Sequence, residues 1–317
     1  MRILVVGKKQ QMHWPENVAK FLPPQHDRSW FVYNKKTLLG LLYKILGKGQ
    51  RYRSSAFKKA ILQFKPDMIF FVSSFFIPMD CYQIAAQFPN ILKIGWAGDR
   101  FGLSDPRLSY MDVLFYSDSG YVPSGSHLPC RTVYLPLCAD ETVFKKTKDI
   151  HNDLPFFAGD ANPWRMAYLK AIQTPVNIWG SHWNKKELMQ HYVHNKKLSH
   201  QKICAFYNRS MAPINMTFSK NIVDGLNFRT FEIGAAGGLI IINEGKDLNR
   251  CYDVGQECVT YKTPEDLNNL VADIIQNSTK YQKIADAGYK RTLKEHTYTR
   301  RLEQMFEKLK EFYPKNK

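Results

Sequence analysis

The stretch DGLNFRTFEIGAAGGLI, residues 224–240, contains the pattern that decides how the second half of the chain folds. Its middle predicts a helix that carries Arg229 and Glu232 one turn apart and ends at the pair Gly237 and Gly238. An apolar run with the character of a buried strand follows directly. A helix that leads through glycine into an apolar strand is typical of a unit with parallel strands.

The same residues allow two chemical interpretations. Arg229 offers a forked cation for a diphosphate, Glu232 accepts hydrogen bonds from ribose hydroxyls, and the two glycines permit a close approach of ligand to backbone. Alternatively, Arg229 and Glu232 form a surface pair and the glycines only end the helix. The residues alone favour the second interpretation.

Strand and helix patterns alternate on both sides of this stretch. In the first half, apolar runs predict strands at 1–7, 67–72, 91–96, 113–116 and 132–136. In the second half, they predict strands at 154–158, 176–179, 215–218, 239–242 and 258–261. The pair Thr263-Pro264 predicts the start of a helix. The whole chain is therefore predicted to be α/β.

The length of 317 residues favours two domains, because one hydrophobic core rarely grows beyond about 250–300 residues. The charged, proline-containing stretch 145–155 breaks the alternation and predicts a linker. We therefore expect an N-terminal domain over 1–150 and a C-terminal domain over 151–297.

The composition is that of a globular protein that stays in the cytoplasm. No apolar run reaches the roughly 18 residues that a membrane span needs, and the apolar run at 1–7 is too short for a signal peptide. The six cysteines include no CxxC pair. This predicts reduced thiols, with neither a disulfide framework nor a zinc site.

The net charge of +17 predicts an anionic partner. The residues between Asp27 and Asp67 include no acid, and the apolar residues within 38–46 recur at helical spacing. The basic block 35–65 is therefore expected to contain either a helix that lies on an anionic membrane surface, on the inner face of the plasma membrane, or a core-packed helix with a basic outer face. No nucleic-acid-binding module is recognisable, so nucleic acid is not expected as the partner.

The segment from Arg229 to Gly238 resembles the CgeB-like (spore maturation protein) family of glycosyltransferases, in which R-x-F-E-x-x-A-x-G-G precedes a strand. Other pieces match in the same order along essentially the whole chain: 1–7, 65–67, 96–99, 135–144, 207–210 with Asn215, 248–252, 255–257, Tyr261 and 296–301.

This resemblance implies the GT-B architecture, with two Rossmann-like domains that face each other across a cleft. The donor nucleotide would bind the C-terminal domain and the acceptor the N-terminal one, while the terminal helix, within 298–317, would pack back on the N-terminal domain. The implied enzyme moves a sugar from a nucleoside diphosphate sugar to a hydroxyl of a cell-surface glycan, lipid-linked or protein acceptor. UDP is the expected nucleotide.

The resemblance also assigns donor-site roles. Arg229 would contact the diphosphate and Glu232 the ribose, with Tyr207, Asn208, Gly237 and Gly238 as further donor-site residues. Asp224 lies eight positions before Glu232, a spacing that many retaining GT-B enzymes share, although their first acid is usually Glu. We therefore expect Asp224 near the donor sugar, and retention of configuration is favoured.

Residues 157–165 predict a strand that passes through Gly159 into a helix start, where backbone N–H groups can hold a phosphate. Asn162 and Arg165 would join this contact. On the alternative interpretation, Gly159 is a turn residue and Asn162 caps the helix. The stretch lacks G-x-G-x-x-G, which argues against a nicotinamide enzyme.

Asp99 follows the strand at 91–96, so it is expected at the carboxyl end of the sheet, as acceptor-orienting residue or general base. His13 is the rival base; alternatively, Asp99 pairs with Arg100 in a loop and His13 is a surface residue. No HxxxH or D-x-D motif occurs, so no metal is expected. Arg229, with Arg165, would then stabilise the leaving diphosphate.

Three other functions remain compatible with the sequence. They are a non-catalytic GT-B-like surface or coat protein, a sugar-nucleotide epimerase and a nucleic-acid-binding protein. Binding without turnover, conversion of the donor without an acceptor, and binding with a steep salt dependence would distinguish them.

Overall fold

The computed structural model describes residues 1–8, 14–33, 45, 47, 49–147, 153–217 and 220–313. The chain divides into two compact units, Met1–Pro136 with Arg301–Lys317, and Leu137–Arg300. The predicted boundary at residue 150 lies outside the described residues. The segment just before it packs within the second unit, where the side chain of Asn208 binds the backbone of Lys145 and Thr147.

The first unit is built on six parallel strands in the order β2-β1-β3-β4-β5-β6. The strands are β1 (Arg2–Gly7), β2 (Asp27–Val32), β3 (Met68–Val72), β4 (Leu92–Ala97), β5 (Val113–Tyr116) and β6 (Arg131–Tyr134). All five residues of β3 are apolar and buried, as expected for a parallel strand covered on both faces. The strand order reverses between β1 and β3, and open sheets bind ligands at the carboxyl ends beside such a switch point.

Three helices of the first unit follow its strands: α1 (Trp14–Phe21), α2 (Gly49–Phe64) and α3 (Met79–Ala86). Phe31 of β2 contacts Phe57 of α2, with ring centroids 5.2 Å apart. This contact seats the described part of the basic block on the sheet. The leucine-rich helix predicted within 38–46 falls almost entirely outside the described residues, which include only Ile45 of that stretch.

The second unit contains two parallel three-stranded sheets, β7-β8-β9 and β10-β11-β12. Their strands are β7 (Phe156–Ala158), β8 (Asn177–Trp179), β9 (Tyr192–His194), β10 (Ile214–Asn215), β11 (Ile241–Asn243) and β12 (Val259–Tyr261). A parallel bridge between Phe156 and Pro213 joins them, and the Phe156 N–H donates to the Ala212 carbonyl at 3.1 Å. The combined order β9-β8-β7-β10-β11-β12 is that of a Rossmann sheet, with its switch point between β7 and β10.

The helices that follow β7 are α4 (Pro163–Ala171), α5 (His200–Arg209), α6 (Phe228–Ala235), α7 (Leu248–Cys251), α8 (Pro264–Gln276), α9 (Ser278–Glu295) and α10 (Tyr298–Phe312). The predicted start of α8 is confirmed, because Thr263 and Asp266 form a reciprocal capping box. All six cysteines are free, as predicted. Among the described residues, none of the helices combines the length and apolar character needed to cross a bilayer.

Helix α10 begins in the second unit and continues in the first from Arg301. Its first turn is held by Glu141, whose carboxylate accepts from the N–H groups of Tyr298 and Thr299, each at 3.1 Å. Within the first unit, Phe306 stacks on His26 at 4.8 Å. The helix is therefore an integral part of both units.

Candidate active site

The candidate site lies at the switch point of the second unit. Helix α4 follows β7 and helix α6 follows β10, so both helices begin at the carboxyl ends of the two strands that flank the reversal. Each helix carries one arginine in its first turn, Arg165 and Arg229 respectively. The topology therefore brings together two cations that are far apart in sequence.

Arg165 is held at this point by its surroundings. Its Nη1 donates to the Asp160 carbonyl at 2.8 Å, and its guanidinium lies 5.6 Å from the centroid of the Phe157 ring. Its Nε is buried and has no hydrogen-bond partner among the described residues. Burial and the positive charge of Arg229 lower the pKa of Arg165 to about 10. Two positive charges held close together in a partly buried site favour the binding of an anion between them.

The helix that carries Arg229 is anchored to the end of β10. The amides of Asn215 and Asn227 bond to each other reciprocally, at 3.0 and 2.9 Å, and Asn227 caps α6 by accepting from the Thr230 N–H. The half-buried Arg229 side chain forms no hydrogen bond or ion pair with any other described residue. Its donors therefore remain available to a ligand.

Glu232 lies one turn along α6 and is only 7% exposed. Burial raises the pKa of its carboxyl to about 7; the Arg229 charge opposes this rise and the Asp140 charge adds to it. No described side chain donates a hydrogen bond to Glu232. A buried carboxylate without a donor is costly, and the hydroxyls of a bound ligand would satisfy it.

Asp224 lies in the loop before α6. Its carboxylate is 3.1 Å from the ammonium of Lys246, a side chain that is 81% exposed. An ion pair with so exposed a lysine contributes roughly 0–1 kcal/mol. This ion pair therefore contributes little to the position of the Asp224 side chain.

The turn after β7 offers few backbone donors to a phosphate. The N–H groups of Gly159, Ala161 and Arg165 donate to the Trp179 carbonyl, the Ser181 carbonyl and the Asn162 side chain. Asn162 is thus the helix cap of the alternative interpretation, and Pro163 has no N–H. Any phosphate contact here would fall mainly to the Arg165 side chain.

Tyr207 and Asn208, two further residues predicted for the donor site, have different surroundings in the structure. Tyr207 is buried beside Arg229 and Glu232, whose charges both affect its pKa; burial, the largest influence, raises that pKa. Asn208 instead uses its amide to hold the segment before residue 148.

Gly237 and Gly238 lie at the opposite end of α6 from Arg229. Gly237 has a φ of 79°, so it adopts the left-handed conformation that ends many helices. A Cβ on Gly238 would lie 2.8 Å from the Tyr207 carbonyl. Both glycines therefore serve helix termination and close packing here, as in the structural alternative.

In the first unit, Asp99 follows β4 at the carboxyl end of the sheet, as predicted from the sequence. It is half-buried, and burial raises the pKa of its carboxyl. The predicted pair with Arg100 is not formed among the described residues. His13 lies outside the described residues.

Sequence reasoning missed three polar residues of the site: Asn215 as a positioning group, Asn227 and Asp140. Asp140 is 7% exposed, and its Oδ1 accepts from the N–H and hydroxyl of Thr142 at 2.9 and 2.6 Å. Asn227 carried a usable signal, because an asparagine directly before a helical pattern predicts a cap.

Comparisons with known proteins agree with this geometry. Residues 164–307 match the glycosyl transferase-like family model. Sucrose-phosphate synthase (tll1590) from Thermosynechococcus elongatus superposes with a TM-score of 0.69 at 10% identity, covering 100% of both chains. Anabaena Alr3699/HepE in complex with UDP-glucose gives 0.67 at 10% identity, over 98% of this chain and 100% of that one. No match was found among curated proteins.

A third structure, AviGT4, a glycosyltransferase involved in avilamycin A biosynthesis, gives a TM-score of 0.64 at 10% identity, over 100% of this chain and 99% of that one. At such identities the likeness establishes the fold, which is the GT-B fold with its mixed α/β, parallel-sheet units. The family match concerns residues 164–307, less than half of the chain, and describes that part as glycosyl transferase-like.

Proposed function

We propose that the protein transfers a sugar from a UDP-sugar to a hydroxyl of a cell-surface glycan, lipid-linked or protein acceptor. One observation carries this proposal: Arg165 and Arg229 meet at the switch point of the second unit, beside a buried Glu232 that lacks a donor. A nucleoside diphosphate supplies both missing partners, phosphate oxygens for the arginines and ribose hydroxyls for the carboxylate. The UDP-glucose complex of HepE, a protein of the same fold, supports UDP as the nucleotide.

In the proposed reaction, the acceptor oxygen forms a bond to the anomeric carbon as the bond from that carbon to the β-phosphate oxygen breaks. Negative charge grows on the departing UDP, and the guanidinium groups of Arg165 and Arg229 stabilise it electrostatically. We propose that this occurs without a resident metal. Among the described residues, no group of three His, Cys, Asp or Glu side chains could hold a metal ion.

The acceptor proton and the stereochemistry involve other residues. We propose that Asp99 orients the acceptor hydroxyl or takes its proton, because burial raises its carboxyl pKa towards the range of a working base; His13 stays the rival base. We further propose that Asp224 contacts the donor sugar and that configuration is retained. The spacing of Asp224 and Glu232, eight positions apart, supports this assignment.

We also propose membership of the CgeB-like family, a role in cell-envelope glycan synthesis and a cytoplasmic location at the inner face of the membrane. Helix α2 contains no acidic residue, and its outer face presents Lys58 and Lys59 beside Leu62, which is 54% exposed. Such a face suits an anionic bilayer. Sedimentation with phosphatidylglycerol vesicles should exceed that with phosphatidylcholine vesicles and fall in Lys58→Glu/Lys59→Glu; equal sedimentation with both lipids contradicts membrane binding.

A thermal-shift screen with UDP, GDP, TDP and CMP tests the donor proposal. UDP at 100 times its Kd should stabilise the protein by about 2.7 kcal/mol, and UDP-sugar turnover should persist in EDTA. A shift with GDP or TDP alone would overturn UDP, and no shift with any nucleotide would overturn the donor site. Conversion of the donor without acceptor would instead indicate an epimerase, and donor binding without turnover a non-catalytic protein.

A further inference from the structure

The first unit presents a cluster of aromatic rings where β3 and β4 end. Phe75, in the turn Ser74–Phe76 after β3, stacks on Phe101 of the loop after β4, with centroids 4.2 Å apart and planes 8° from parallel. Tyr121 contacts Phe101 in a T-shaped arrangement, with ring centroids 6.0 Å apart. We call Phe75, Phe76 and Phe101 the aromatic platform.

The platform is not fully covered by the protein. Phe76 is 49% exposed, and Phe75 and Phe101 are half-buried rings that rest on the core of the first unit. The turn that presents Phe75 starts at Ser73, which has a φ of 56°. A non-glycine residue in this left-handed region costs of order 1 kcal/mol, and such outliers cluster at functional sites.

A carboxylate accompanies the rings. Asp99 lies two residues before Phe101, and its negative charge contributes to raising the pKa of Tyr121, so the carboxylate is close to that ring. The Tyr121 hydroxyl donates a hydrogen bond to the Gly98 carbonyl at 3.4 Å. This bond positions the start of the loop after β4. Among the described residues, Asp99 accepts no hydrogen bond.

We propose that the aromatic platform binds the apolar face of a pyranose ring in the acceptor, and that Asp99 accepts a hydrogen bond from one of its hydroxyls. This inference rests on the proposed function and narrows the acceptor to a sugar. The C–H groups on one face of a pyranose carry small positive charges, which complement the negative face of an aromatic ring. The hydroxyls at its rim need a polar partner, and Asp99 supplies an acceptor.

The Asp99 carboxylate favours a sugar over other ligands that could bind an apolar surface. A lipid chain has no donor for Asp99 and would bury its charge without a partner. A neutral ring with hydroxyls at its rim satisfies both parts of the site.

Saturation-transfer NMR on the whole 317-residue chain tests this, with the methyl β-pyranosides of glucose, galactose and N-acetylglucosamine as probes and sorbitol as the acyclic control. We expect transfer to the ring C–H protons of at least one pyranoside, about a fivefold loss in Phe101→Leu, the order that one lost aromatic contact produces, and a comparable loss in Asp99→Asn. Phe88→Leu is the matched control, because Phe88 is a half-buried ring on the same core that lies near the amino end of β4, where its carbonyl accepts from Lys93. It should leave the transfer unchanged.

No transfer to any pyranoside, or equal transfer in wild type and Phe101→Leu, would overturn the platform. A UDP thermal shift on the same samples separates this failure from that of the proposed function. If UDP still raises the melting temperature but no saturation transfer is seen, the proposal of sugar binding at the aromatic platform is rejected and the donor site is kept. If saturation transfer is seen but UDP causes no thermal shift, the sugar site is supported and the assignment of the UDP donor site is rejected.

Discussion

Replacing Arg229 with alanine is expected to raise the Kd for UDP by between about tenfold and about a hundredfold, since hydrogen bonds to charged groups contribute about 1.5–3 kcal/mol. Within the described residues Arg229 has no hydrogen bond to lose, so the protein itself should fold normally. Isothermal titration calorimetry with UDP measures the change. Arg229→Lys should recover only part of the affinity, because an ammonium lacks the planar fork.

The matched control is Arg209→Ala. Arg209 ends α5 and pairs with Asp153 at 2.9 Å, with its side chain 53% exposed. Removing it deletes the same charge from the same unit, away from the switch point. Equal losses of UDP affinity in Arg209→Ala and Arg229→Ala would mean that net charge, rather than a site at Arg229, attracts the nucleotide.

Glu232→Gln is expected to make the protein more stable at pH 8 by about 3 kcal/mol, which is the size of a shift in pKa from 4.5 to about 7. The folded protein binds a proton more tightly here than the unfolded chain does. The wild type therefore loses this stability as pH rises from about 4.5 to about 7, and stays level above that. The variant keeps a neutral side chain and has no such loss.

Denaturant unfolding of both proteins between pH 4 and pH 8 checks this difference. The gap in unfolding free energy should open above pH 4.5 and level off above pH 7, while other titrating groups cancel between the two proteins. A gap that does not vary with pH would mean that Glu232 titrates normally.

The same carboxyl should make donor binding pH-dependent. If its ionised form accepts the ribose hydroxyls, affinity for UDP-glucose should fall about tenfold from pH 8 to pH 6 in the wild type, and not in Glu232→Gln. UDP-glucose is the better probe here, because it lacks the terminal phosphate that itself titrates near pH 6. If the affinity for UDP-glucose falls equally in the wild type and in Glu232→Gln, the pH dependence does not arise from Glu232.

The strands that could be predicted from the sequence are those with continuous apolar runs. Strand β2 was not predicted, because it is an edge strand whose sequence, DRSWFV, begins with polar and charged residues. Strand β9, YVH, has only three residues with partly exposed side chains. An edge strand needs apolar contacts on fewer sides, so its sequence carries less of a signal.

The site was predictable residue by residue but not as an arrangement. Arg165 and Arg229 were each expected near phosphate, yet only the reversal of strand order brings them together. The mutual bonding of Asn215 and Asn227 depends on the same reversal. For Gly237 and Gly238, the role of each residue could not be predicted from the sequence. A glycine that ends a helix and a glycine that allows a ligand to approach the backbone look identical in sequence.

Helix α10 also bears on how the protein is made. The first unit takes part of its structure from residues after Arg301, so a ribosome must finish the second unit before the first can be completed. Expressing residues 1–136 alone would leave the surface around His26 and Arg131 without its helical cover, which Phe306 and Phe312 provide. The first unit is assembled from two separate segments of the chain, and any attempt to prepare it alone must supply both pieces.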